Sequence, residues 1–150
     1  MFKKKKISIL VFNLSSNALV RTYPMAKTLS RKYLIEIIGV GSDSQIYKPY
    51  KKEFKFKAIE RDKNRNSLVS YFLLFKDILK SIDGDLVYAF KPKLTSYAPA
   101  LLAKIFHNIP VILDIEDLET VKWRQASLMA RIKLIFSRYD SNNEFLNFIM

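Results

Sequence analysis

Short apolar runs and longer amphipathic stretches alternate along the chain. Ile7-Ser8-Ile9-Leu10-Val11 is β-branched and almost wholly apolar, the pattern of a strand covered on both faces. Residues 34–40, 86–90 and 110–113 repeat that pattern, and Gly41-Ser42-Asp43-Ser44 closes the first of them with turn chemistry. Between the runs the period lengthens. Met25, Ala26, Leu29 and Tyr33 recur at helical spacing over residues 21–33, with Pro24 expected in the first turn. Residues 67–82 carry Leu68, Tyr71, Phe72, Phe75, Ile78, Leu79 and Ile82 along one predicted core face, and Gly84 supplies a stop. Residues 96–106, with Pro99 in the first turn, and residues 120–139 predict two more helices. Residues 45–66 are polar and basic, and Phe54-Lys55-Phe56-Lys57 alternates like a short edge strand.

Buried strands alternating with helices, without hairpin signals, predict an α/β fold: a doubly wound parallel sheet with helices on both faces. With 150 residues, 49% of them apolar, the chain has the size of a single domain. No apolar run is long enough to span a membrane, since the longest candidate is interrupted by Lys104, His107, Pro110 and Asp114. The basic start is followed by an apolar run too short and too interrupted for a signal peptide, so it reads as a strand. Cysteine is absent and His107 is the sole histidine, which removes disulfides, thiolate metal sites and histidine clusters. A cytoplasmic setting fits this composition.

The charge is one-sided. Residues 1–65 hold 16 Lys/Arg against 5 Asp/Glu, whereas residues 66–150 hold 10 against 9. Such asymmetry attracts anions: acidic lipid headgroups, phosphorylated substrates or nucleic acid. Nucleic acid fits least well, because Phe72 and Phe75 fall on the predicted core face of a helix instead of forming a stacking platform.

Ligands of a doubly wound sheet bind beyond the carboxyl ends of its strands, which singles out three loops. The first, Asn13-Leu14-Ser15-Ser16-Asn17, offers hydroxyl, amide and backbone N–H groups to a sugar or an anion; the same residues serve equally as helix caps. It has no glycine, so neither a dinucleotide fingerprint nor a P-loop is present. In the second, Lys91 directly follows a strand and precedes Pro92. The third, Leu113-Asp114-Ile115-Glu116-Asp117-Leu118-Glu119, places four carboxylates at a strand end, where they can accept hydrogen bonds from hydroxyls, assist proton transfer or pair with a lysine such as Lys91. Their spacing is not that of a calcium loop, and no metal is expected.

The segments Arg21-Thr22-Tyr23-Pro24-Met25-Ala26-Lys27-Thr28-Leu29, Asp85-Leu86-Val87-Tyr88-Ala89-Phe90-Lys91-Pro92 and Leu113 to Glu119 resemble, in order and spacing, the N-terminal domain of family 4 glycosyltransferases of the GT-B fold. The resemblance covers nearly the whole chain. It implies the acceptor-binding, Rossmann-like half of a retaining transferase whose nucleotide-sugar donor sits on a second domain, absent here or carried by a separate chain. It therefore implies no cofactor on this half and no complete catalytic cycle without a donor-binding partner. Carried over onto this sequence, the resemblance puts Asp114, Glu116 and Asp117 in catalytic positions and Asn13, Ser15, Ser16, Asn17, Arg21 and Lys91 in acceptor-binding ones. It further implies a lipid-linked or polysaccharide acceptor and a peripheral place on the inner membrane face. A family strand expected after Ser141 is missing or compressed, which suggests a truncated or split product. The competing reading is a non-catalytic basic module that docks on an anionic membrane or another polyanion.

Overall fold

A computed structural model describes residues 4–14, 17–61 and 67–115. Five strands form one all-parallel sheet: β1 (Lys6–Val11), β2 (Leu34–Val40), β3 (Lys55–Ile59), β4 (Leu86–Phe90) and β5 (Val111–Asp114), in the spatial order β3-β2-β1-β4-β5. The helices are α1 (Asn17–Leu29), α2 (Lys48–Glu53), α3 (Ser67–Ser81) and α4 (Tyr97–His107), with a single 3-10 turn at Asp43–Gln45. The described part of the chain is therefore a Rossmann-like α/β sheet of the doubly wound type. The predicted helix over residues 120–139 lies outside the described residues.

Alternation along the central strands divides the core in two. Ile7, Ile9 and Val11 of β1 and Ile37 of β2 pack with Leu19 and Ala26 of α1 and with Phe54. Leu10, Ile38, Val87 and Ala89 face the other way, against Leu74 and Ile78 of α3 and Ala100 and Ala103 of α4. Burial of β1 on both faces explains its unbroken apolar run.

Two glycines permit close approaches. A Cβ at Gly39 would lie 2.6 Å from the Val11 carbonyl oxygen and 2.9 Å from the Leu14 side chain. Leu14 occupies that space and donates its N–H to the Val40 carbonyl at 2.9 Å, so the loop after β1 folds back over the end of β2. A Cβ at Gly84 would meet Ser8 at 2.7 Å, and the Gly84 N–H donates instead to the Ser8 hydroxyl at 3.0 Å.

Several expectations are corrected in detail. The first helix spans Asn17–Leu29 rather than residues 21–33, so Pro24 sits inside it and Tyr33 falls beyond its end. Pro24 removes one N–H from the ladder, while Thr28 donates its hydroxyl to the Pro24 carbonyl at 3.0 Å. The edge strand expected around residues 54–57 is β3, one residue later, but α2 had no apolar stripe to announce it. On α3 the buried stripe runs through Ser70, Leu74 and Ile78, leaving Leu68 and Phe72 exposed rather than in the core. Apolar residues surround α3, so spacing alone did not select the face that meets the sheet.

At the amino edge of the sheet Glu36 is fully buried among ammonium groups: Lys57 Nζ lies 2.9 Å away, Lys6 Nζ 3.2 Å and Lys55 Nζ 3.4 Å. Neither Glu36 oxygen receives an aligned hydrogen bond, so charge holds it. Lys6 also bonds Asp83 at 2.5 Å, and Lys57 donates to the Ser81 carbonyl at the end of α3 at 2.7 Å. Partial burial opposes ionisation of Asp83, yet the Lys6 hydrogen bond, then the neighbouring Glu36 carboxyl and the charges of Lys57 and Lys6, outweigh it and pull its pKa down to about 2.

Candidate functional site

The strand order reverses direction between β1 and β4. The connection after β1 runs through α1 on one face and the connection after β4 through α4 on the other, opening a crevice between their carboxyl ends. The register makes those ends level: Val11 pairs with Phe90, and Phe90 with Asp114. Asn13, Lys91 and Asp114 consequently occupy one rim across three neighbouring strands, a width of about 10 Å at ordinary strand spacing.

The β4 loop is tightly built. Lys91 adopts a left-handed backbone, φ 64°, immediately before Pro92. Its N–H donates to the Asp114 carbonyl at 3.0 Å, extending the β4–β5 ladder by one bond. Its carbonyl accepts from the Lys93 N–H and from the Ser96 hydroxyl, each at 2.8 Å. Thr95 then spans the crevice, its hydroxyl donating to the Phe12 carbonyl at 3.0 Å. The loops after β1 and β4 are thus joined where the fold opens.

Asp114 ends β5, and one of its oxygens accepts a hydrogen bond from the Tyr88 hydroxyl at 2.8 Å. Burial, and then the adjacent carboxylate, push the Tyr88 phenol far above its ordinary pKa, so Tyr88 stays a donor throughout the physiological range. An ionised carboxylate engaged by one phenol keeps lone pairs for further donors such as sugar hydroxyls.

The other expected positions divide clearly. Asn13 is half-buried on the rim. Asn17 begins α1 and therefore lies at the rim end of that helix, and Arg21 is exposed one turn further along. Ser15, Ser16, Glu116 and Asp117 lie outside the described residues. The described contact between Lys91 and Asp114 is made by the backbone.

Three rim residues escaped the sequence reading. Tyr88 looked like one more strand residue, and only the pairing of β4 with β5 reveals its partner. Lys93 is 7% exposed, the most buried lysine described. Thr95 had the residue type of a cap and instead ties two loops together. Among the described residues no group of three or more His, Asp or Glu side chains is placed to hold a metal ion, and no helix is long and apolar enough to cross a membrane.

No protein-family model and no curated protein matches the chain by sequence. Solved structures match its fold. The UDP-GlcNAc 2-epimerase from Neisseria meningitidis, in a structure bound to UDP-GlcNAc, shares 15% identity at a TM-score of 0.54, covering 89% of this chain and 39% of its own. A second UDP-N-acetylglucosamine 2-epimerase structure shares 15% identity at a TM-score of 0.56, covering 90% and 38%. The C-terminal domain of a hydrogenase from Pyrococcus furiosus is similar at 17% identity and a TM-score of 0.54, covering 77% of this chain and 95% of that domain. The chain thus spans less than two-fifths of the epimerase chains, and the likeness is one of fold.

Proposed function

We propose that this chain is the acceptor-holding, Rossmann-like half of a glycosyltransferase, with a nucleotide-sugar donor held by a second domain across the same rim. The observation that carries the reading is the convergence of Asn13, Lys91 and Asp114 on one carboxyl edge at the switch point. The fold likeness to sugar-nucleotide enzymes, confined to under two-fifths of their chains, supports a division of labour between two halves.

In this reading Asn13 and Asp114, with Glu116, Asp117 and the Ser15–Ser16 loop, hydrogen-bond the acceptor hydroxyls, and Lys91 and Arg21 hold an anionic part of the acceptor. The attacking hydroxyl oxygen bonds to the anomeric carbon as the bond from that carbon to the nucleotide diphosphate breaks. Its proton passes to a carboxylate of the 114–117 cluster or to the departing diphosphate. Transfer with retention, to a lipid-linked or polysaccharide acceptor, is the finer form of the proposal.

Backbone amide shifts of the isolated chain, titrated separately with oligosaccharide fragments and with UDP-GlcNAc, test it. Oligosaccharide should move the amides of Asn13, Lys91 and Asp114, and Asp114→Asn or Lys91→Ala should weaken binding by about tenfold, the value of one charged hydrogen bond. UDP-GlcNAc moving these amides while oligosaccharides do not would overturn the acceptor assignment. That outcome favours a nucleotide-sugar isomerase instead, the activity named for two of the similar structures.

A further inference from the structure

Besides the face it buries, α3 carries a second apolar stripe. Leu68, Phe72, Phe75 and Leu79 recur at intervals of four, three and four residues, the spacing of a coiled-coil seam. Leu68 is 73% and Phe72 70% exposed, while Phe75 and Leu79 are half-buried. At 3.6 residues per turn the stripe lies roughly a third of a turn from the Leu74 and Ile78 face that meets the sheet. Tyr71 borders it, with its ring centroid 6.1 Å from that of Phe75, and accepts a hydrogen bond at 2.8 Å from Arg61, just beyond edge strand β3. The stripe therefore runs along the β3 side of the helix, away from α4, which lies over β4 and β5.

This stripe reads the same in both directions. Leucines stand at its ends and phenylalanines in its middle, and the spacing is symmetric about the midpoint between Phe72 and Phe75. An identical helix laid antiparallel on it sets Leu68 against Leu79 of the second copy and Phe72 against Phe75 of the second copy, so leucine meets leucine and phenylalanine meets phenylalanine in every layer. A two-fold axis makes each of these contacts twice. Charge fits as well, because the stripe holds no charged side chain. The same axis brings exposed Lys76, at the margin, beside exposed Val69 of the second copy instead of beside the other Lys76. The lysine methylenes then cover the valine while the ammonium stays in water.

We propose that α3 is a dimer interface, pairing antiparallel with α3 of a second copy of this chain about a two-fold axis between Phe72 and Phe75. Exposed leucine and phenylalanine in one continuous stripe mark an interaction surface, and its mirror symmetry selects a second copy over an unrelated helix. The exposed apolar residues of α4 and β5, Ile105, Phe106 and Ile112, show no such repeat. The stripe is about 16 Å long at 1.5 Å per residue. Four side chains per copy bury well under the roughly 800 Å² per partner of a standard interface, so the dimer is a weak one, dissociating at tens of micromolar. Because β3 lies two strands from β1, on the side away from β4, pairing leaves the rim of each copy open. The interface therefore stands or falls apart from the acceptor reading.

Sedimentation equilibrium of the full chain, from about 1 to about 300 μM so as to bracket that constant, tests the assignment. The average mass should climb from 17.6 kDa toward twice that value as concentration rises. Phe72→Asp puts a carboxylate into both central layers and should weaken association by at least about a hundredfold, whereas Phe106→Asp on α4 should leave it unchanged. Circular dichroism shows that the variants fold. The absence of native cysteine allows a test of orientation that needs no charge substitution. A mixture of Leu68→Cys and Leu79→Cys chains should form an intermolecular disulfide on mild oxidation. Either chain alone should not, since like positions lie about 16 Å apart across the axis, beyond disulfide reach. A monomer at the highest concentration, a folded Phe72→Asp variant that still dimerises, or Leu68→Cys joining itself as readily as it joins Leu79→Cys would each overturn the proposal.

Discussion

The Tyr88 hydroxyl on β4 and the Asp114 carboxylate at the end of β5 are joined by a 2.8 Å hydrogen bond on the face of the sheet that carries α1. Asp114→Asn removes both the charged acceptor and the charge itself, leaving burial as the remaining cause of the raised phenol pKa. The Tyr88 resonance of ¹³C-labelled tyrosine, followed through alkaline titration, should therefore move at lower pH in the variant than in the parent. A raised folded pKa stabilises the fold below the unfolded phenol value near 10 and is lost as pH climbs toward the folded value, so parent and variant should lose stability differently in that alkaline window.

The Glu36 cluster makes the opposite prediction for acid. Asp83, depressed to about 2, contributes stability above the ordinary carboxyl range, and that contribution disappears as pH falls from about 4 to about 2. Asp83 is half-exposed, so solvent screening reduces the effect to about 1 kcal/mol. Urea midpoints measured across that range should fall less steeply with pH in Asp83→Asn than in the parent. Glu36→Ala is harsher: it leaves Lys6 and Lys57 without their buried counter-charge and should destabilise by about 3 kcal/mol in the same assay at neutral pH.

Gly39 links core packing to the rim. An alanine there must displace both the Leu14 side chain and the Val11 carbonyl, and overpacking of this kind costs about 1 to 3 kcal/mol. Thermal unfolding measures the loss. Because Leu14 belongs to the loop that bears Asn13, amide shifts in Gly39→Ala should spread into residues 12–14 while leaving β5 in place.

How far these features could be read in advance varied with the physics behind them. β1 announced itself because a strand buried on both faces tolerates few polar residues, and Ser8 survives there by accepting a hydrogen bond from Gly84. Asn13, Lys91 and Asp114 share the rim because each directly follows or ends a parallel strand, and parallel strands with level ends leave those positions little freedom. α2 was illegible, because a helix fastened by Tyr23, Tyr50 and Glu53 needs no apolar stripe. Phe72 was misplaced for the converse reason: on a helix apolar all round, the sheet chooses the buried face. Tyr88 and Thr95 acquire their partners from strand order, a tertiary fact that local spacing does not contain.

Lys91 offers the sharpest test of whether the rim is shaped for binding. A left-handed backbone costs a non-glycine residue about 1 kcal/mol, and glycine removes that strain while gaining freedom in the unfolded chain, so Lys91→Gly should raise stability by only a few tenths of a kcal/mol. If Lys91 holds an anionic acceptor, the same substitution should weaken oligosaccharide binding at the rim by about tenfold. Lys91→Ala separates the two effects: it removes the ammonium but keeps the strain, so it should bind as poorly as glycine without the gain in stability. Urea unfolding and amide titration of both variants give the comparison. Glycine binding as tightly as the parent would remove the lysine side chain from the site and leave its left-handed turn as a purely structural closure between β4 and α4.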